Sequence, residues 1–293
     1  MHKAGFVNIV GNPNVGKSTL MNQLVGEKLS IATFKAQTTR HRIMGIVNTE
    51  DTQIVFSDTP GVLKPNYKMQ EMMLQFSESA LADADILLYV TDVVEDPEKN
   101  MDFLEKVSKM SIPVILLINK IDERDQKTLG NLVTKWHGLL PNAEILPISA
   151  KNKFGVDILL KRVHELLPES PAFFDKDQLT DKPAKFFVSE IIREKILRYY
   201  DKEIPYSVEV VIERFKEDDR QIHISAIIYV ERSSQKGIII GHQGMALKKV
   251  STEARKSLER FFDKKIFLET FVKVDKDWRN SQKELKHFGY SPE

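Results

Sequence analysis

The 293-residue chain contains no cysteine. That excludes a disulfide framework and any thiolate metal site, and it fits a reducing compartment. No apolar run approaches the roughly 18 residues needed for a membrane-spanning helix. Residues 1–5 lead straight into a strand-like segment and leave no room for a secretory leader, so a cytoplasmic protein is expected. Net charge is nearly absent too, at +1, and by itself points to no class of partner. What remains, 42% hydrophobic and 29% charged residues, is an ordinary globular composition over a length that suits two domains.

The charge is unevenly spread. Residues 1–182 hold 21 Lys/Arg against 24 Asp/Glu, a net −3, whereas residues 183–293 hold 22 against 18, a net +4. An acidic first part and a basic second part predict two domains with different partners. The expected boundaries are a domain over 1–168, a charged, proline-punctuated linker over 169–183 and a second domain over 184–293.

The stretch Gly11-Asn12-Pro13-Asn14-Val15-Gly16-Lys17-Ser18-Thr19 fits the phosphate-loop pattern G-x-x-x-x-G-K-[ST]. It lies between a strand-like segment (6–10) and a helix-like one (19–25), the context in which loop N–H groups and a helix dipole receive phosphate. Lys17 is expected to reach the β- and γ-phosphates, and the Ser18 hydroxyl to ligate Mg²⁺. A second strand-like run, 52–57, leads into Asp58-Thr59-Pro60-Gly61. That places a carboxylate where a Mg²⁺-linked Asp belongs, and a Gly61 N–H able to approach a γ-phosphate. Thr39 is the candidate to close on Mg²⁺ and the γ-phosphate, with Thr38 as competitor. Residues 30–40 and 62–76 are the expected switch segments.

Two further motifs address a base. A strand over 112–118 ends in Asn119-Lys120-Ile121-Asp122. The Asp122 carboxylate can accept from N1–H and the N2 amino group of guanine, a pair that adenine lacks. Asn119 is expected to bridge to the phosphate loop and the Lys120 stem to lie over the base plane. A strand over 144–148 precedes Ser149-Ala150-Lys151, whose backbone N–H groups are expected to serve guanine O6.

Four motifs in this order, each at the end of a strand, resemble the small GTPase domain of the translation-factor-related class. The G-N-P-N-V-G-K-S loop and the D-T-P-G-V turn resemble the Era, EngA and MnmE group in particular. The resemblance implies an α/β fold with a mostly parallel sheet, GTP and GDP as nucleotides, Mg²⁺ as cofactor, and hydrolysis of GTP to GDP and phosphate. One departure is Val62, which stands where Ras-like proteins carry the glutamine that orients the attacking water. Slow intrinsic hydrolysis is therefore expected. The group also implies that Asn14 can ligate K⁺ near the phosphates, which adds Asn14 to Lys17, Thr39 and Gly61 as candidate catalytic residues.

The second part has another rhythm. A helix over 189–200 with Ser189 as N-cap, strands over 206–213 and 222–231, a helix ending near 262, a strand over 266–274 and a terminal helix are predicted. Ile240-Gly241-His242-Gln243-Gly244, followed by Lys248 and Lys249, forms a loop whose glycines let backbone approach a sugar-phosphate chain. Ile239, Ile240 and Leu247 are the expected apolar floor under unstacked bases. The run I-I-G-x-x-G-x-x-L resembles the signature of the KH domain, and the element order resembles its α+β type II topology. A GTPase domain followed by a type II KH domain resembles the Era family. That resemblance implies a monomeric, GTP-gated protein that binds small-subunit (16S) rRNA near its 3′ end and assists maturation of the 30S ribosomal subunit. It also implies a loose, peripheral association with the inner face of the membrane. The competing expectation is a non-catalytic RNA-binding assembly factor in which GTP is structural.

Overall fold

The structure, a computed structural model, describes residues 2–290. The chain divides into two compact units between Asp181 and Lys182.

The first unit is built on a six-stranded sheet in the order β2-β3-β1-β4-β5-β6. Its elements are β1 (Lys3–Gly11), α1 (Lys17–Val25), β2 (Ile43–Asn48), β3 (Thr52–Asp58), α2 (Lys68–Ala82), β4 (Ile86–Asp92), α3 (Met101–Ser108), β5 (Val114–Asn119), α4 (Gln126–Leu139), β6 (Glu144–Pro147) and α5 (Val156–Leu166). Every pairing is parallel except β2 with β3, which are joined by only three residues, too few for a parallel crossover. β3 and β4 are buried at every position, as strands covered on both faces must be. The chain leaves β1 for β3 on one side and β4 on the other, so the loop after β1 opens at the crevice where α/β sheets bind ligands.

Residues 169–181, expected as a linker, instead lie along the first unit. Gln53 Oε1 accepts from the amides of Phe173 (2.7 Å) and Phe174 (2.9 Å). The Phe173 ring packs 4.9 Å from that of Phe6. At the edge of the sheet, the Ile46 amide donates to Leu179 O (2.8 Å) and Thr180 Oγ1 donates to Met44 O (2.6 Å). The strap thus covers the open side of edge strand β2. Its prolines and charges hid this, because its attachment runs through backbone groups and two phenylalanines.

The second unit contains α6 (Ala184–Tyr199), α7 (Ile204–Ser207), β7 (Glu209–Glu217), β8 (Gln221–Val230), α8 (Ser233–Ile240), α9 (Met245–Phe262), β9 (Lys265–Val274) and α10 (Gln282–His287). The sheet order is β7-β8-β9, with β7–β8 antiparallel and β8–β9 parallel. Val188, Ile192, Ile196, Ile224, Ile228, Val250 and Leu258 form its core. Two expectations need correction. The first helix starts at Ala184 behind Pro183, whose fixed φ suits a helix entry. Ser189 lies inside it and donates its hydroxyl to Phe186 O at 2.8 Å, the local bond serines make within helices. The first strand begins at Glu209, since Tyr206 and Ser207 belong to α7. A bulge between Ile212 and Arg214 shifts the alternation in β7, which obscured its extent.

Candidate nucleotide site and nucleic-acid interface

The phosphate loop packs so closely that glycine is required at two points. Gly11 has φ 145°, and a Cβ there would stand 2.1 Å from Val90 O of β4. Gly16 has φ 97°, and its Cβ would lie 2.3 Å from Asn119 Nδ2. Lys17 is buried and its ammonium donates to Gly11 O (2.9 Å) and Asn12 O (2.8 Å). Burial lowers the Lys17 pKa to about 8, against the opposing pull of the Asp58 and Glu95 carboxylates.

Around Lys17 three oxygen-bearing side chains converge. Thr39 Oγ1 lies 2.8 Å from Ser18 Oγ and donates to Asp58 Oδ2 at 3.3 Å. Thr38 does not join them: its hydroxyl donates to Lys35 O (2.5 Å) and contacts Thr33 Oγ1 (2.7 Å). Asp58 is fully buried, which raises its pKa, and its Oδ1 has no hydrogen-bond partner among the described residues. A buried carboxylate with one orphaned oxygen beside two hydroxyls is a hard-oxygen donor set that fits Mg²⁺. Lys17, Ser18 and Thr39 border a cavity of about 230 Å³ lined also by Asn14, Gly61 and Lys120, with Asp58 buried behind them.

Gly61 presses on the phosphate loop: a Cβ there would stand 2.6 Å from Pro13 Cα. The next amide, of Val62, donates to Gly11 O at 3.1 Å. The Val62 side chain turns into the core with Val10 and Leu87 and is only 4% exposed. The position that carries glutamine in Ras-like proteins therefore offers the cleft no side chain at all.

On the base side, Asn119 is buried and bridges the loop to the last motif. Its Nδ2 donates to Val15 O (2.8 Å) and its Oδ1 accepts from the Ala150 amide (2.9 Å). Lys120, at φ 61°, donates to Asn14 O (2.7 Å) and pairs with Asp92 Oδ2 (2.5 Å). Asp122 is exposed, and Ser149 Oγ donates to its Oδ1 at 2.6 Å, which holds the carboxyl below its usual range. Sequence reasoning missed Asp92 and the Ser149 hydroxyl. The signal for Asp92 was a second strand ending in a carboxylate, paired in register with Asn119. The amides expected to serve guanine O6 are engaged within the protein here: Ser149 N–H donates to Phe154 O (3.1 Å) and Ala150 N–H to Asn119. Lys151 is exposed beside them.

In the second unit α8 ends at Ile240 and Gly241 turns the chain with φ 70°, where a Cβ would meet Ala246 Cβ at 2.6 Å. Gly244, at φ 77°, caps α9 in open space. His242, Gln243, Lys248 and Lys249 are exposed, and Lys249 Nζ sits 4.6 Å from the Tyr199 ring centroid. Of the three residues expected to form an apolar floor, one does not reach the surface. Ile239 is fully buried in the core and accepts from the Tyr200 hydroxyl through its carbonyl (2.7 Å), so it faces no groove. Ile240 and Leu247 do line a groove, together with Thr270, Phe271 and Val272 of β9 and with Lys236 and Lys273. The β9 contribution was not legible, because it comes from a strand more than 20 residues downstream of the loop.

Comparison with known proteins bears on both units. A family model described as 50S ribosome-binding GTPase matches residues 6–120, and one described as KH domain matches residues 203–279. The GTPase Era of Clostridium kluyveri is 44% identical over 292 residues, covering 99% of this chain and 100% of that protein. The GTPase Era of Geobacter sp. (strain M21) is 46% identical over 290 residues, 98% of each. Era solved in complex with MgGDPNP and nucleotides 1506–1542 of 16S ribosomal RNA is similar over 100% of both chains, with a TM-score of 0.95 at 37% identity. A variant of Aquifex aeolicus Era bound to GDP.AlF4- has a TM-score of 0.94 at 37% identity, covering 99% of this chain and 100% of that one. The fold expected from the sequence, a phosphate-loop GTPase domain on a mostly parallel sheet followed by a KH domain, is the fold observed.

Proposed function

Since the chain belongs to the GTPase Era family, we propose that it is a GTP-gated RNA-binding switch: a GTPase that binds 16S rRNA near its 3′ end and assists maturation of the 30S subunit. The observation that carries the switch is the convergence of Ser18, Thr39 and Asp58 behind the phosphate loop, with Asp58 Oδ1 unpartnered. Thr39 comes from the expected switch segment, so a ligand that engages all three residues also holds that segment closed.

Within this reading each group has a task. Lys17 already points its ammonium along the loop carbonyls, where β- and γ-phosphate oxygens would share its protons. Ser18, Thr39 and Asp58 would hold Mg²⁺, which when bound neutralises charge on the β- and γ-phosphates. Gly61 offers its N–H to the γ-phosphate from the tight turn against Pro13. Asp122, kept ionised by Ser149, accepts from guanine, while Asn119 and Lys120 keep base and phosphate motifs in register. Asn14, exposed at the loop tip, is the proposed K⁺ ligand, and equal single-turnover rates in K⁺ and Na⁺ would remove it from the mechanism. With no side chain at position 62 to orient water, intrinsic hydrolysis is slow.

The KH unit is the proposed RNA clamp, with backbone at Gly241–Gly244 against the sugar-phosphate chain and bases over Ile240, Leu247 and Phe271. The proposed division puts the GTPase domain before Asp181, including the strap, and the KH domain after it. Monomeric state and peripheral membrane association belong to the same proposal on family resemblance. Among the described residues no helix is long and apolar enough to cross a membrane. The test measures affinity for an RNA copy of the 16S 3′ end in the presence of GDP and of a non-hydrolysable GTP analogue, alongside GTP turnover. Tighter RNA binding with the GTP analogue and measurable phosphate release support the switch. Equal RNA affinity in both states, with no turnover, supports a non-catalytic assembly factor instead.

A further inference from the structure

We infer that Asn100 is a positioning residue for GTP hydrolysis, holding the backbone that follows Gly61 in the absence of a glutamine side chain at position 62. Asn100 immediately precedes α3, at the N-cap position (φ −135°, ψ 61°). An asparagine there ordinarily accepts from the second or third amide of its helix. This one makes no such bond. Its Nδ2 reaches away from the helix, donating to Val62 O at 3.1 Å and to Asn12 Oδ1.

The consequence lies in Val62. Its amide is tied to Gly11 O of the phosphate loop and its carbonyl to Asn100, so both backbone polar groups are fixed while the side chain is locked in the core. Gly61, one residue earlier, carries the N–H proposed for the γ-phosphate and has no room to drift toward Pro13. Asn12 completes the circuit. It is buried, its carbonyl accepts from Lys17, and its side-chain oxygen accepts from Asn100. Asn100 therefore joins the phosphate loop and the second switch segment through one amide group. None of the recognised nucleotide motifs contains it.

This inference rests on the GTPase reading, and its test separates the two. Asn100→Asp keeps the shape and supplies a good N-cap, but it cannot donate to Val62 O or Asn12 Oδ1. Asn100→Ala removes the contact and forfeits no cap. The assay is single-turnover GTP hydrolysis at saturating nucleotide, with GDP affinity and the thermal melt measured on the same full-length proteins. Both variants should bind GDP and melt like the parent, with the hydrolysis rate constant lowered at least about tenfold and half-saturation by GTP unchanged, as expected when reacting groups are misplaced rather than unbound. Parental rates in both variants overturn the inference. So does a rate loss matched by equal loss of GDP affinity or of melting temperature, which marks a merely structural role. Parent protein that binds GDP yet releases no phosphate from GTP overturns the GTPase reading together with it.

Discussion

Thr39 Oγ1 lies 2.8 Å from Ser18 Oγ, bringing together two hydroxyls 21 residues apart in sequence. Thr38, the adjacent alternative, turns back on its own loop. Thr39→Ala should lower single-turnover GTP hydrolysis by about tenfold or more, since it would remove the ligand proposed to act on the γ-phosphate side, and should leave GDP affinity nearly unchanged. Thr38→Ala should lose less. Rapid-quench hydrolysis with both variants checks this; a larger defect at Thr38 would reverse the assignment of the switch threonine.

Asp122 and Ser149 give a prediction with a pH sign. Asp122→Asn should weaken guanine nucleotides and favour xanthine nucleotides, because the amide can no longer accept both guanine donors. Ser149→Ala should act more gently. The Ser149 hydroxyl depresses the Asp122 pKa, so the ionised form proposed to contact guanine persists to lower pH. Removing it moves the acid limit of GDP binding upward, with little change at pH well above the carboxylate range. Identical acid limits in parent and Ser149→Ala, from fluorescent-GDP titrations across pH, would show that this hydroxyl does not tune the base contact.

Lys17 makes nucleotide affinity pH-dependent at the alkaline end. Its pKa is lowered from 10.5 to about 8 by burial, and phosphate oxygens stabilise its charged form. Below about pH 8 the ammonium is already charged and affinity is flat. Above it, binding must take up a proton, so affinity should fall by up to about tenfold per pH unit. Calorimetry in buffers of different ionisation heat should register that uptake at pH 9 and not at pH 7. For the nucleotide-free protein the sign is the opposite. The unfolded chain holds the extra proton between about pH 8 and 10.5, so this group's contribution to stability rises with pH across that window.

What was legible in the sequence was local. The phosphate loop, the Asp58 turn and the Asn119–Asp122 run each carry their chemistry in consecutive residues, and the flanking apolar runs placed them at strand ends. Single side chains acting across the fold were not legible. Asp92 holds Lys120 only because β4 and β5 pair in register, and Asn100 reaches Val62 only because α3 begins beside the phosphate loop. Three consecutive isoleucines misled for a different reason. In helix α8 Ile239 turns into the core while Ile238 is half-exposed, and an unbroken apolar run has no period to reveal which is which. The strap over 169–181 read as a linker because its composition is polar, although its backbone covers a sheet edge.

The KH loop yields the last prediction, in which backbone and charge separate. Gly241→Asp would drive a Cβ into Ala246 and should lower stability as well as RNA affinity. Gly244 has open space, so Gly244→Asp incurs only the strain of φ 77°, about 1 kcal/mol, and sets a negative charge beside the proposed sugar-phosphate path. It should lose RNA binding with little change in melting temperature and none in GTP hydrolysis. Lys248→Ala with Lys249→Ala should weaken binding to all RNA sequences alike. If each lysine neutralises one phosphate, the slope of log affinity against log salt should shrink by about 0.7 per lysine for a single strand. An unchanged slope would mean that these exposed lysines do not touch the backbone. Retained RNA affinity in Gly244→Asp would move the clamp away from this loop, toward the groove between Leu247 and Phe271.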